Sequence, residues 1–213
     1  DFKVEDHIPL VFTSGIANDG VEQSSGWRAS AGFEWWQPFA SSDKFAFDWL
    51  TDGESLNSFS GQYSGSGGDD WNWVTFAGYS ESEYDDLIAP VYYDLIGEGI
   101  HAGFLLSRNL SLFNNSSTAF NVGLTYLDLE NRVSSTGYNS DKSLSFVVPR
   151  IGIQGALSPT AAFPGRSFWS VSLITDAGSA DDSDLLAQRA GTSSGFFAGQ
   201  LSYTTLQPLS FIR

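Results

Sequence analysis

The sequence predicts an all-β protein, an antiparallel sheet rolled into a transmembrane β-barrel, and three observations carry that expectation. Apolar residues recur at every second position through much of the chain, the period of a strand with one apolar and one polar face. Many of the segments that show it reach the roughly 9–11 residues that a tilted strand needs to cross a bilayer. The links between them are short on one rim and long on the other, as in outer-membrane barrels.

The elements follow in order. About ten strands are expected, near 5–16, 25–37, 43–51, 57–65, 70–81, 97–109, 117–130, 141–157, 165–177 and 195–207. In the second, Trp27, Ala29, Ala31, Phe33 and Trp35 alternate with Arg28, Ser30, Gly32 and Glu34. In the sixth, Ile100, Ala102, Phe104 and Leu106 alternate with His101, Gly103, Leu105 and Ser107. Phe120, Val122, Leu124 and Tyr126 mark the seventh, Leu144, Phe146 and Val148 the eighth, Trp169, Val171 and Leu173 the ninth, and Leu201 and Tyr203 the tenth. The short links are 38–42, 66–69, 110–116 and 158–164; the longer, more acidic ones are 18–24, 51–56, 82–96, 131–140 and 178–194. Strand one is therefore expected to start from the short-turn, periplasmic rim.

Composition narrows the function classes. The 213 residues carry 25 Asp+Glu against 10 Lys+Arg, a formal charge of -15, whereas nucleic acids and anionic membrane surfaces are bound through a basic face. Aromatics make up 15% of the chain, far too many for a disordered acidic tail. With no Cys there is no disulfide framework, Cys-based zinc site or catalytic thiol. There is no Met either, so the chain is expected to begin after a processing site or to be a fragment, with no signal peptide remaining. No run of about 18 apolar residues offers a transmembrane helix, which leaves strands as the one route into a bilayer.

The side chains sort by place. Trp27, Trp35, Trp49, Trp71, Trp73, Trp169 and Tyr203 lie near strand ends, where aromatic girdles meet the two lipid interfaces. The opposite side is rich in Gly, Ser, Thr, Asn and Gln, with occasional charge in Arg28, Glu34 and His101, which are read as lumen-facing. A soluble sandwich would place Val, Ile and Leu inward and use fewer aromatics. His7 and His101 have no ligand-spaced neighbour, and the acidic clusters (Asp69-Asp70, Glu81 to Asp86, Asp176 to Asp184) read as solvated loops rather than calcium cages. No Gly-x-Ser-x-Gly elbow is present, and nothing positions a carboxylate pair. Neither catalysis nor a cofactor or metal is expected.

Several short motifs recur in order along the chain. A first strand ends at Asn18-Asp-Gly20, and Gly26-Trp-Arg28 opens the second. Gln37-Pro38 closes it, and Asp43-Lys-Phe45 begins the third. The longest match runs from Gly99 through Ser107-Arg108-Asn-Leu110, then Phe120 to Asn131 and Ser143 to Gly155. Together these motifs resemble the haemolysin-activator (TpsB-type) transporters of two-partner secretion, and the resemblance covers most of 10–160. It implies an outer-membrane pore that exports a large β-helical partner protein, through a sixteen-stranded barrel preceded by POTRA domains. On that basis 1–213 is one barrel domain lacking the POTRA region and the last strands. It also lacks the family's Val-Arg-Gly-Tyr loop tip, since Arg189-Ala-Gly-Thr is not that motif. Because open edges are costly in lipid, either further strands exist or strand ten closes on strand one. The implied partners are outer-membrane lipid and the exported protein, with no nucleic acid, and the implied location is the bacterial outer membrane. The competing expectations are a passive porin or structural barrel, and a secreted soluble β-sandwich binding carbohydrate through exposed aromatics.

Overall fold

The alternation resolves into ten strands in the computed structural model, which describes residues 9–18, 26–68, 70–88, 91–110, 116–135, 137–159, 165–177 and 196–206. They are β1 Leu10–Ala17, β2 Arg28–Trp36, β3 Lys44–Thr51, β4 Leu56–Gly67, β5 Trp71–Ile88, β6 Val91–Leu110, β7 Ser116–Ser135, β8 Tyr138–Leu157, β9 Arg166–Thr175 and β10 Phe197–Leu206. Each pairs antiparallel with its neighbours in sequence, giving one ten-stranded meander in the order β1 to β10. The all-β antiparallel class is as expected. Among the described residues β10 does not reach β1, so the sheet is open at both edges.

Register is continuous across the sheet. Phe12 faces Phe33, Phe33 faces Phe47, and the row runs on through Gly61, Ala77, Ala102 and Tyr126 to Val147. Partners in a ladder share a face and side chains alternate along each strand, so this row defines one face of the whole sheet. Phe12, Phe33, Phe47, Trp49, Ile100, Phe104, Leu124, Ile151, Val171 and Leu201 all lie on it.

Nothing covers that face among the described residues. Leu144, at 8% exposed and on the opposite face, is the one buried apolar side chain among the described residues, while Phe12 (74%), Ile16 (76%) and Leu201 (78%) stand open on this one. Every strand packs only against its sequence neighbours, so no second layer encloses a core. The accessible surface is 14980 Å², against roughly 9700 Å² for a compact globule of this mass. Large apolar side chains left in water each forgo about 1.5–3 kcal/mol. This overturns the soluble-sandwich expectation, which needs two sheets packed face to face.

Two further expectations are corrected. The links placed at 82–96 and 131–140 are mostly strand: β5 and β6 continue to Ile88 and Val91, and β7 and β8 to Ser135 and Tyr138. The link at 51–56 is a four-residue turn, 52–55. Above the apolar zone both faces of a hairpin are wet, so polar residues can sit in a strand without breaking it; Arg132 lies opposite Asp141 and reaches it at 3.6 Å. Gly137, at φ 87°, lies in the turn between β7 and β8.

The second correction concerns β8. Leu144, Phe146 and Val148 were read with the apolar face, but they pair with Leu129, Leu127 and Thr125 on the opposite one. Val147, Pro149, Ile151 and Ile153 carry the apolar face instead. In the projecting hairpin the outer positions are Ser143 and Ser145, and the leucines pack across strands on the inner side.

Candidate functional site

Arg28, Glu34 and His101 share the face opposite the aromatic one. Glu34 accepts a 2.7 Å ion pair from Lys44 Nζ, and that ammonium sits 4.7 Å from the centre of the Trp36 ring. Adjacent antiparallel strands bring these three together: Trp36 is register partner to Lys44, and Glu34 lies two residues back on the same side. His101 lies over Gly78, its direct partner, where an added Cβ would collide with its ring. Its ring centroid is 6.1 Å from Phe76, and with Asp48, Ser60 and Gln62 it lines a shallow cavity of about 240 Å³. Three more opposite pairs repeat the motif on this face: Asp48 over Gly32, Phe76 over Gly103, and Leu105 over Gly123. Glycine here lets large side chains lie along the wall rather than stand into the space in front of it.

Trp27, Trp35, Trp49, Trp71, Trp73, Trp169 and Tyr203 all fall on the other face or its continuation. Trp49 stacks on Phe59 at 6.4 Å, and Tyr63 meets Trp73 edge-on at 4.9 Å. Trp73 covers its partner Gly65, and Trp169 covers Gly155. Arg108 lies 5.3 Å over Trp71, and Tyr203 Oη donates to Ser167 Oγ at 3.1 Å. The apolar zone has definite ends. On β6 it runs through Ile100, Ala102, Phe104 and Leu106 between Glu98 and Arg108, so residues 99–107 lie between charges, close to the 9–11 that a tilted strand needs. On β5 Tyr79 is followed on the same face by Glu81, and on β7 Tyr126 is followed by Asp128. Tyr79 Oη donates to Glu81 Oε2 at 3.2 Å, across that boundary.

Sequence reading missed Lys44 and Trp36, the partners of Glu34. Trp36 breaks the rule that tryptophans share one face, and an i, i+2 count from Glu34 on β2 was the available signal. It also missed the aromatic groove of about 520 Å³ among Phe12, Phe33, Phe47, Trp49 and Phe59, which needs four strands in register to exist. His7 lies outside the described residues. Among the described residues no group of three or more His, Cys, Asp or Glu side chains could hold a metal ion.

No protein-family model matches the chain, and no curated protein sequence does. Among solved structures, CdiB from Escherichia coli superposes on 98% of this chain with a TM-score of 0.80 at 13% sequence identity. The chain spans 39% of CdiB. At that identity the likeness shows the fold: the ten strands have the arrangement of part of the wall of a β-barrel.

Proposed function

We propose that the chain forms part of the wall of a protein-export pore of the two-partner-secretion type in a bacterial outer membrane. The superposition on CdiB, a TpsB-family transporter, is the observation that carries this reading. The uncovered aromatic face and its charged boundaries support it, since a bilayer is the solvent that such a face needs. In this reading the aromatic face lies in lipid, with the seven girdle aromatics at its interfaces. The face with Arg28, Glu34 and His101 lines a hydrated passage, and β5 to β8 project past the membrane as hairpins.

In this reading the wall does such work without catalysis. Large side chains laid over glycines keep the wall low, and pairing of Glu34 with Lys44 removes two charges that would hold a passing chain. Further strands complete the barrel, and the cargo is a secreted partner protein. The chain acts without enzyme activity or cofactor.

The test is deletion of the gene in the native bacterium, followed by comparison of secreted proteins. One large secreted protein should disappear from the medium and return on complementation. An unchanged set of secreted proteins, together with a steady conductance of the purified protein, would overturn the proposal in favour of a passive porin.

A further inference from the structure

On β6 to β10 the passage-facing side carries a second feature, near the short-turn rim. Asn109, Ala119, Gln154, Ser170 and Ser202 are successive register partners and form a row across five strands. Beside it runs a second row: Ser107, Asn121, Gly152, Ser172 and Gln200. Neither row holds a charge or a large apolar side chain. The first borders a concavity of about 460 Å³. In the second, Asn121 is 7% exposed and its Nδ2 is buried with no acceptor among the described residues. Buried donors of that kind are normally satisfied, so the row has hydrogen-bonding capacity that the described residues do not use.

The chemistry selects an occupant. Amide and hydroxyl side chains both donate and accept, and neighbouring strands set them about 4.8 Å apart. An extended polypeptide backbone offers one donor and one acceptor per residue, whatever its side chains. Phosphate-bearing ligands would find no cation in either row. A sugar would stack on the ring of Phe168, but the Arg166 guanidinium lies 5.9 Å over that ring.

We infer that these rows form a track that hydrogen-bonds the backbone of an extended polypeptide, an inference that rests on the export reading and assigns a place to the cargo within the wall. The track holds backbone rather than side chains, so its grip is independent of cargo sequence.

The test uses the complete native protein in planar bilayers, with an unstructured synthetic peptide of Gly, Ser, Thr and Asn added on the short-turn side. A neutral maltooligosaccharide serves as the second probe. The peptide should cause transient current blockades. Gln154→Ala should shorten them roughly threefold to tenfold, the effect of one lost hydrogen bond, at unchanged open conductance. Ser202→Ala, on a strand exposed along its whole length, should do the same and keeps the test decisive if the first variant misfolds. Peptide blockades of unaltered duration in both variants would overturn the track and leave the export reading standing. Absence of any peptide blockade in the unmodified protein would overturn both, as would a Gln154-dependent blockade by the oligosaccharide alone.

Discussion

At the scale of single residues, the recurring device is a glycine facing a large side chain on the next strand. Trp73 lies on Gly65 so closely that a Cβ there would be 2.8 Å from both Trp73 Cζ2 and Asp43 Oδ1. Asp43 in turn accepts a hydrogen bond from Tyr63 Oη at 2.5 Å. Gly65→Ala should therefore destabilise by about 1–3 kcal/mol, the cost of overpacking. Gly67→Ala, whose Cβ meets nothing nearer than 3.9 Å, should be close to neutral. Urea unfolding from lipid vesicles distinguishes the two, and equal shifts would contradict the packing argument. In the β3–β4 turn, Asp52 Oδ1 accepts the N–H groups of Glu54, Ser55 and Leu56, and Oδ2 accepts Ser55 Oγ. Burial pushes its carboxyl up, but these bonds outweigh burial and hold it at about 2, below the ordinary 3.8. A lowered native value stabilises the fold above the unfolded value and loses that effect as protons bind. The turn's contribution, on the order of 1 kcal/mol after solvent screening, should be full above pH 4 and fade between pH 4 and 2. Asp52→Asn should abolish that pH dependence in unfolding measured across the same range.

At the scale of elements, alternation located all ten strands because one face of each must meet apolar surroundings. It lost the ends of β5 to β8. Past Tyr79 and Tyr126 the same-face residues become Glu81, Glu83, Asp128 and Glu130, and a stretch of carboxylates reads as a loop. Backbone pairing continues there because the ladder is held by main-chain hydrogen bonds, whatever the side chains meet. Two opposite sides and an apolar zone of defined height can be tested directly, since the chain has no Cys of its own. With the protein in vesicles, a membrane-impermeant maleimide should label Glu83→Cys and Thr125→Cys readily and Leu124→Cys at least about tenfold more slowly. Fast labelling at Leu124→Cys with protection at Thr125→Cys would exchange the two faces.

At the scale of the whole molecule, the sheet has two free edges, β1 and β10, each paired on one side among the described residues. Unpaired backbone groups in lipid cost several kcal/mol each, and exposed edges template association. The 213-residue chain refolded alone in detergent should therefore assemble through its edges, giving oligomers by light scattering. A longer protein whose further strands pair with both edges should run as a discrete species. A monodisperse 23.1 kDa monomer of the chain alone, folded and resistant to urea, would show that ten strands satisfy their own edges.

Much of the architecture was legible because its physical cause is local. Side chains alternate on a strand by backbone geometry, so the period of two in Trp27 to Trp35 or Ile100 to Leu106 reports strand and face directly. The apolar face left uncovered among the described residues follows from the same pattern. Register is not local: whether Leu144 or Val147 shares a face with Phe104 depends on which β7 residue it lies opposite, and both choices alternate equally well in the sequence. The union of Glu34, Lys44 and Trp36, the pairs of glycines with overlying rings, and the polar rows on β6 to β10 each join residues on separate strands. They exist through hydrogen-bonded pairing between strands, which single-chain periodicity does not encode.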